Sequence, residues 1–385
     1  MQEAQVRMDS LPSGRMRAKF SSLAFKIPLL FLVMLTVMVG AFLLVMQNYG
    51  TPILKEVALK QVREAGESIV SVLSERLALT ASLVTTMANT AETLPRTEKL
   101  HHQTIKSLVD YEGTEHFIAG GGVWPEPYKF TSKLKQRSFF WGRDENNTLQ
   151  YFDDYNDPKG VGYHNEEWYV PGRYLSPGQV YWSRSYMDPY SYQSMVTATA
   201  PMIVEGEFYG VTTVDIKLEG LSELLAEESK KFGGYAYAVD RNGTFLSYPD
   251  EGVAQKVTLD EDGNKEVEYR NITDVATPES KIPDISQYLT ESEALSRLSI
   301  DMVARAGTIA EDSYQIGLAE AHRIVSIIAD PLKHKSLGYT FIRSLESPED
   351  SILNEPVVIN IFHVPQTYWR VITVTPKSVV HATSN

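Results

Sequence analysis

The chain has 385 residues, of which 43% are apolar, and a formal net charge of −13. This length and composition indicate globular domains rather than a disordered polymer. Its 36 Lys and Arg face 49 Asp and Glu, which argues against a nucleic-acid partner because phosphate binding needs clustered cationic side chains. The sequence has no cysteine, so disulfides and thiolate metal sites are excluded.

An apolar run occupies residues 27–46 and follows a basic segment, residues 1–26. A helix of about 20 residues spans the hydrocarbon core of a bilayer, which is roughly 30 Å thick. The run is longer than the apolar region of a secretory signal, which has about 7–15 residues. We therefore expect an uncleaved transmembrane helix at residues 27–46, with residues 1–26 in the cytoplasm and the remainder outside the membrane.

Residues 47–112 have the apolar periodicity of a long stalk helix, with a break or kink at Pro95. Apolar residues such as Ile69, Leu73 and Leu77 fall on one face of this helix. A helix that leaves a membrane cannot bury such a stripe alone. The sequence leaves open which surface covers this stripe. The helix can pack on the domain of its own chain or on the same helix of a second copy in a homodimer.

The remaining residues alternate between short strands, turns and helices, and they divide into two units, 113–232 and 233–385. In the first unit, strands are predicted near 117–124, 180–186, 195–203 and 209–216. The second is predicted to contain a hairpin at 235–248, a loop over 250–285, a helix over 286–325 interrupted near Gly307, and strands near 337–343, 356–363 and 369–375. The predicted class is α+β, with a transmembrane helix, a stalk helix and two tandem antiparallel-sheet subdomains.

Aromatic and acidic side chains, with almost no basic residue among them, mark three points in the first unit. They are Tyr163, Glu166, Trp168 and Tyr169, then Tyr186 and Asp188, and finally Asp215. Carboxylates hold an ammonium group through charge-assisted hydrogen bonds, and aromatic faces attract a cation. The pattern therefore suits a small cationic ligand. Ordinary packing of the aromatic residues, and a salt bridge from Asp215 to an Arg or Lys of the chain, are the structural alternatives.

The order of elements over roughly residues 47–385 resembles the double Cache sensor domains of bacterial chemoreceptors, sensor kinases and diguanylate cyclases. The resemblance rests on the strand 211–216 with Asp215, the hairpin 236–248, and Tyr368-Trp369 in the closing strand. It implies two PAS-like sheets with a ligand pocket in the membrane-distal unit, 113–232. In the family's amino-acid-binding pattern, an Arg two residues before a Trp-Tyr pair holds the ligand carboxylate, and a later strand Asp holds the ligand ammonium.

Trp168-Tyr169, Tyr186-x-Asp188 and Asp215 match this pattern, but Glu166 stands in the position of the Arg. Tyr163 lies close to the position of the family's upstream Tyr. A ligand carboxylate would be repelled by Glu166, whereas a monoamine, a diamine or a quaternary ammonium would be attracted. The resemblance therefore implies an amine-binding variant. Glu167 is an alternative to Glu166 if the register differs by one residue.

We therefore expect an extracytoplasmic sensor domain of a chemotaxis-type receptor in the bacterial inner membrane, which binds a small amine and signals through the long helix. The domain itself is expected to have no catalytic activity, no cofactor and no metal, with the output module outside this chain. The same fold sensing an amino acid, an organic acid or a nucleobase is the main alternative. A membrane-tethered hydrolase with Asp188 and Asp215 as paired carboxylates, and an adhesion ectodomain, are two further alternatives.

Overall fold

The computed structural model describes residues 23–144, 146–259, 263, 265–289, 298–329 and 340–382. Residues Gln61–Val380 form one compact unit, and the described residues before Gln61 belong to a second one. The predicted cytoplasmic segment, residues 1–26, lies almost wholly outside the described residues.

The N-terminal unit is helical. Helix α1, Leu23–Val45, is followed by a π-helical turn, Met46–Gly50, and then by the start of α2, Thr51–Thr93. This stretch contains an 18-residue window with a mean hydropathy of 2.9, and none of that window is buried in the protein. By length and composition, one helix of the described chain could therefore cross a membrane. That finding is consistent with the anchor predicted at residues 27–46.

Helix α2 ends two residues before Pro95, and α3 begins at Glu98 and ends at Val109. A proline has no backbone N–H and disfavours helical geometry at the preceding residue, so the predicted break is confirmed. The apolar stripe of α2 is buried within its own unit, with Leu73, Leu77 and Met87 fully enclosed. This packing is one of the two arrangements that the sequence left open, and homodimerisation stays a prediction.

The first sheet has seven antiparallel strands. They are β1 Ile118–Pro125, β2 Phe139–Arg143, β3 Leu149–Phe152, β4 Tyr181–Trp182, β5 Tyr186–Met187, β6 Ser194–Val204 and β7 Glu207–Lys217. Their order is β3-β2-β1-β7-β6-β4, and β5 also pairs with β6. Strands β6 and β7 are joined by Glu205-Gly206 with φ angles of 53° and 84°, the left-handed geometry of a tight hairpin turn.

Helix α4, Leu218–Ser229, connects the first sheet to a second sheet of five antiparallel strands. These are β8 Tyr235–Val239, β9 Phe245–Ser247, β12 Phe341–Ser347, β13 Val357–Val364 and β14 Trp369–Pro376. Their order is β12-β13-β14-β8-β9. The predicted hairpin turn between β8 and β9 is confirmed, with Gly243 at a φ of 87°. A short helix, α9, follows over Lys377–Ala382.

Residues 250–285 were predicted to form a loop, and this was wrong in part. They contain two short helices, α5 Glu251–Ala254 and α6 Ile272–Val275, and a two-stranded hairpin of β10 Gln255–Leu259 and β11 Lys265–Tyr269. The side chains of β10 are mostly exposed, including Val257 and Leu259. Both strands alternate, as in Val257-Thr258-Leu259 and Val267-Glu268-Tyr269. The pattern is short and lies among acidic residues, whose polar composition predicted a loop instead.

The predicted helix over 286–325 is a pair of helices, α7 Ile300–Asp312 and α8 Leu318–Ala329. The interruption lies at residues 313–317 and not at Gly307, because one glycine costs a helix only about 1 kcal/mol. Residues 290–297 of that prediction, and the start of the predicted strand 337–343, lie outside the described residues. The helix pair packs on Val170 and Leu175, which precede β4, and on Tyr181, which is the first residue of β4.

Two antiparallel sheets with helices, preceded by a long helix, confirm the predicted α+β class. The side chains of β7 alternate between two faces, as in any strand. Val214 and Ile216 lie in the core that includes residues of α2. Val211 lies in a separate aromatic cluster on the opposite face. Thr213 and Asp215 are two and four positions from Val211, so their side chains point to the same face as that of Val211. The fold therefore places Asp215 on the face of the sheet that carries the aromatic residues.

Candidate ligand-binding site

Asp215 lies near the end of β7, and its side chain is only 2% exposed. Its partner across the ladder on β6 is Thr197, whose Oγ1 donates a hydrogen bond of 2.7 Å to Asp215 Oδ1. The Tyr186 hydroxyl lies 2.7 Å from the same Thr197 oxygen. Burial raises the pKa of Asp215 to about 7, and the charge of Asp188 acts in the same direction. Among the described residues, no Arg or Lys forms an ion pair with Asp215.

Asp188 follows β5 directly and is 1% exposed. Its Oδ1 accepts a hydrogen bond of 2.6 Å from the Tyr155 hydroxyl. Its Oδ2 accepts hydrogen bonds of 2.6 Å from both the backbone N–H and the hydroxyl of Ser191. Asp188 is therefore a buried carboxyl group whose two oxygens are held by neutral donors.

Aromatic rings surround these carboxylates. The ring centroids of Trp124 and Trp168 are 4.7 Å apart, those of Trp124 and Tyr155 are 5.0 Å apart, and those of Tyr155 and Tyr190 are 4.5 Å apart. Trp124 is fixed by a hydrogen bond of 2.8 Å from its Nε1 to Thr213 Oγ1. These mutually packed rings are termed the aromatic cage, and aromatic faces bind organic cations in other proteins.

Trp124 and Tyr155 were not predicted as site residues. Trp124 pairs with Val211 across β1 and β7, so the alternation of strand residues could have indicated that it shares the face of Asp215. Tyr155 lies in a polar segment between Asp153-Asp154 and Asn156-Asp157, and its contact with Asp188 joins residues far apart in the chain. No local pattern in the sequence marks such a contact.

Tyr163 and Tyr169 are buried in the same cluster as Trp168. The Tyr163 hydroxyl donates to the carbonyl oxygen of Pro125 at 2.6 Å, and the Tyr169 hydroxyl donates to Glu126 Oε2 at 2.6 Å. Both hydroxyls are therefore occupied, by the last residue of β1 and by the residue that follows it. The structure brings these two residues to the site, and their polar atoms already have protein partners.

The adjacent acids Glu166 and Glu167 have different surroundings. Glu166 is half-buried, and its Oε1 accepts a hydrogen bond of 3.1 Å from the Tyr314 hydroxyl. Burial raises the pKa of Glu166, and the charge of Asp188 adds to the rise, which shows that these acids lie close enough to repel. Glu167 is buried and forms an ion pair of 3.0 Å with Arg241. Burial nevertheless raises the pKa of Glu167 to about 7, with a further contribution from Glu320.

The predicted residues thus form one acidic and aromatic cluster, with Glu166 at its edge and Glu167 in a separate ion pair. A groove of about 760 Å³ lies elsewhere, between α2 and the segment 175–182, and none of its lining residues is charged. A cation needs charged or strongly polar partners when it leaves water, so the acidic cluster is the better candidate site. Within the described part of the chain, no group of three or more His, Cys, Asp or Glu could hold a metal.

Comparison with known proteins shows likenesses to sensor domains. Residues 105–223, just under a third of the chain, match the family described as methyl-accepting chemotaxis protein-like, first PDC sensor domain. The chain is similar to the methyl-accepting chemotaxis protein McpC of Bacillus subtilis (strain 168), with 23% identity over 239 residues. That similarity covers 60% of this chain and 33% of McpC, so the chain spans about a third of that relative.

The fold is similar to the extracellular domain of the protein named as histidine kinase mmHK1S-Z3. The TM-score is 0.54 at 17% identity, and the similarity covers 85% of this chain and 97% of that domain. At this identity the likeness shows the fold alone. These likenesses are to sensor domains, which is consistent with the expectation that the chain has no catalytic activity of its own. The chain therefore has the fold of an extracellular Cache-type sensor domain, and its residues 105–223 are similar to a first PDC sensor domain.

Proposed function

We propose that the chain is the extracytoplasmic sensor part of a bacterial membrane receptor, and that the cluster around Asp215 binds a small amine. The observation that carries this proposal is the pair of carboxylates, Asp188 and Asp215, each at most 2% exposed, on an aromatic face without a cationic partner among the described residues. Buried charges in proteins are normally paired. An ammonium group would supply the missing partner.

In the proposed complex, the ammonium donates hydrogen bonds to Asp215 and Asp188. Trp168, Tyr186 and the caging residue Trp124 surround its carbon-bearing part and contribute cation–π attraction of about 0.5–2 kcal/mol for each good contact. Glu166 disfavours ligands with a carboxylate at its end of the site, because two like charges in a half-buried site repel each other. Together these groups favour amines over acids.

The proposed signal runs from the site to the long helix through β7. Thr212, on the face opposite to Asp215, donates a hydrogen bond of 2.9 Å from its Oγ1 to the carbonyl oxygen of Val84 on α2. The backbone N–H of Ile203 on β6 donates to Glu92 Oε1 on α2 at 2.8 Å. A shift of β6 and β7 on ligand binding would therefore move groups that contact α2 directly.

An amino acid is the second candidate ligand, and one observation favours it. Arg184 is half-buried and precedes Tyr186 by two residues, and among the described residues its guanidinium makes no hydrogen bond or ion pair. Its charge lowers the pKa of both Glu166 and Glu167 against the larger effect of burial, which shows that it lies near them. Arg184 could hold a ligand carboxylate that Glu166 repels.

A thermal-shift screen of the full-length chain in detergent tests the proposal. The probes are propylamine, 1,4-diaminobutane, tetramethylammonium, L-alanine and succinate. A ligand at 100 times its Kd stabilises the native state by about 2.7 kcal/mol, so a binding amine raises Tm by several degrees. A rise with L-alanine and with no amine would contradict the amine proposal and favour the second candidate. In that case Arg184→Gln should abolish the rise.

A further inference from the structure

The helix pair α7–α8 follows the β10–β11 hairpin in the sequence, yet it packs beside the candidate site. Its apolar residues share a core with Val170 and Leu175, which follow Trp168 closely in the chain. Arg173 Nη1 forms an ion pair of 3.3 Å with Asp312 at the end of α7. The connection between α7 and α8, residues 313–317, is thereby held against the segment that carries Glu166 and Glu167.

Two side chains of that connection form a chain of hydrogen bonds with the segment. Gln315 Oε1 accepts from the backbone N–H of Glu167 at 2.8 Å. Gln315 Nε2 donates to the Tyr314 hydroxyl at 3.0 Å, and the Tyr314 hydroxyl donates to Glu166 Oε1 at 3.1 Å. Each group in the chain orients the next one. One oxygen of Glu166 is therefore occupied and the direction of its carboxylate is set by residues from the other half of the chain.

The position of the helix pair is fixed by a buried ion cluster. Arg241, in the turn between β8 and β9, pairs with Glu320 of α8 and with Glu167, both at 3.0 Å. Asn242 of the same turn donates to Glu320 Oε1 at 2.7 Å and accepts from Arg323 Nε at 2.9 Å. Arg241 Nε has no hydrogen-bond partner among the described residues, but the ion pairs of Arg241 and the hydrogen bonds of Asn242 tie the β8–β9 turn to α8 and to Glu167. The connection that carries Tyr314 therefore has a fixed position beside Glu166.

From this geometry we infer that Tyr314 is a positioning residue of the ligand site, which orients the Glu166 carboxylate toward the bound amine. The inference rests on the proposed function and extends it, because it adds the α7–α8 pair to the site as its outer wall. A tyrosine hydroxyl suits this role, since it donates to a carboxylate and carries no charge that would compete with an ammonium. A lysine or arginine at this position would neutralise Glu166 instead.

The test compares Tyr314→Phe with Tyr111→Phe in the full-length chain in detergent. Both substitutions remove one hydroxyl, and Tyr111 is 55% exposed at the end of α3. Titration calorimetry with propylamine measures the affinity between pH 5 and pH 8. We expect Tyr314→Phe to weaken binding about 3- to 10-fold, the effect of one lost hydrogen bond.

The pH dependence of binding is a second readout. Burial raises the pKa of Glu166, whereas the hydrogen bond from Tyr314 lowers it. The Tyr314→Phe variant should therefore have a higher Glu166 pKa, and its amine affinity should begin to decline at a higher pH than that of the wild type.

A double-mutant cycle distinguishes positioning from a merely structural contact. In a Glu166→Gln background, Tyr314→Phe should cause no further loss of affinity, because the two residues act as one unit. A Tyr314→Phe protein with a lower Tm but the affinity and pH profile of the wild type would overturn the inference and leave the amine proposal intact. A wild-type protein that binds none of the amines would overturn both.

Discussion

Thr197 Oγ1 donates a hydrogen bond of 2.7 Å to Asp215 Oδ1, across the ladder between β6 and β7. The donor is neutral, and Asp215 is 2% exposed. A neutral hydrogen bond offsets only part of the cost of removing a carboxylate from water. The charged form of Asp215 therefore destabilises the ligand-free protein. A cationic ligand would offset the free energy of burying this charge.

The first prediction concerns stability and pH. Burial raises the pKa of Asp215 from its usual range to about 7. Between about pH 4 and pH 7, Asp215 is therefore protonated in the folded protein and ionised in the unfolded chain. The contribution of Asp215 to stability is therefore most favourable below about pH 4 and is lost as the pH rises to about 7. A shift of this size corresponds to a free energy on the order of 4 kcal/mol.

Substitution Asp215→Asn removes this dependence and keeps the shape of the side chain. At pH 8 we expect the variant to be more stable than the wild type in urea unfolding, and at pH 4 we expect the two to be equal within about 1 kcal/mol. Asp274→Asn, on the exposed face of α6, is the control that loses a charge outside the site. A variant that is less stable than the wild type at pH 8 would contradict the account of Asp215.

The second prediction concerns the pH dependence of amine binding. The ammonium binds the charged form of Asp215, which is a minority below about pH 7 given the raised pKa of this group. Propylamine affinity should therefore be about tenfold weaker at pH 6 than at pH 8. Calorimetry in buffers of different ionisation enthalpy should detect release of a proton on binding at pH 6. Equal affinities at the two pH values would show that the amine does not bind to Asp215.

The third prediction separates the buried ion cluster from the ligand site. Arg241→Gln leaves Glu167 and Glu320 without their cation, while both remain buried or nearly so. Breaking such a pair costs about 3–5 kcal/mol, and the free energy of unfolding should fall by that amount. Arg305 is an exposed residue of α7 that contacts the ring of Tyr174. The control substitution Arg305→Gln should lower the free energy of unfolding by less than about 1 kcal/mol. If the two variants are equally stable, the cluster does not hold α7–α8 in place.

The fourth prediction concerns the aromatic cage. Trp168→Leu removes one face of the cage and should weaken the binding of tetramethylammonium about 2- to 30-fold, which corresponds to the 0.5–2 kcal/mol of a cation–π contact. Trp141→Leu is the matched control, because Trp141 lies on β2 outside the cluster. Competition with a fluorescent quaternary ammonium measures both affinities. Equal effects of the two substitutions would show that the loss reflects general destabilisation.

Local patterns in the sequence predicted the scaffold of the site. The break at Pro95 follows because proline disrupts helical geometry, and the turn of the 235–248 hairpin follows from a glycine beside polar residues. The strand that contains Asp215 followed from its β-branched and apolar residues. The family resemblance then selected Glu166 and Asp188 as companions of Asp215, and burial together with the charge of Asp188 raises the pKa of both Glu166 and Asp215. That these residues bind a ligand stays a prediction.

Contacts between distant residues could not be predicted in this way. Tyr314 and Glu166 are separated by 148 positions, and nothing in the periodicity of α7 or α8 indicates which surface they cover. The caging residue Tyr155 was missed for the same reason. Glu167 was the alternative to Glu166 for a register shift of one residue, and its ion pair with Arg241, 74 positions away, is a further contact that the sequence could not predict.

The most direct test of the central claim is a calorimetric titration of propylamine into the full-length wild-type chain and its Asp215→Asn variant at pH 8. The account predicts that the wild type binds the amine, that Asp215→Asn weakens binding at least about tenfold through the loss of a charge-assisted hydrogen bond, and that Asp274→Asn binds like the wild type. Equal amine affinity of the wild type and Asp215→Asn would contradict the account.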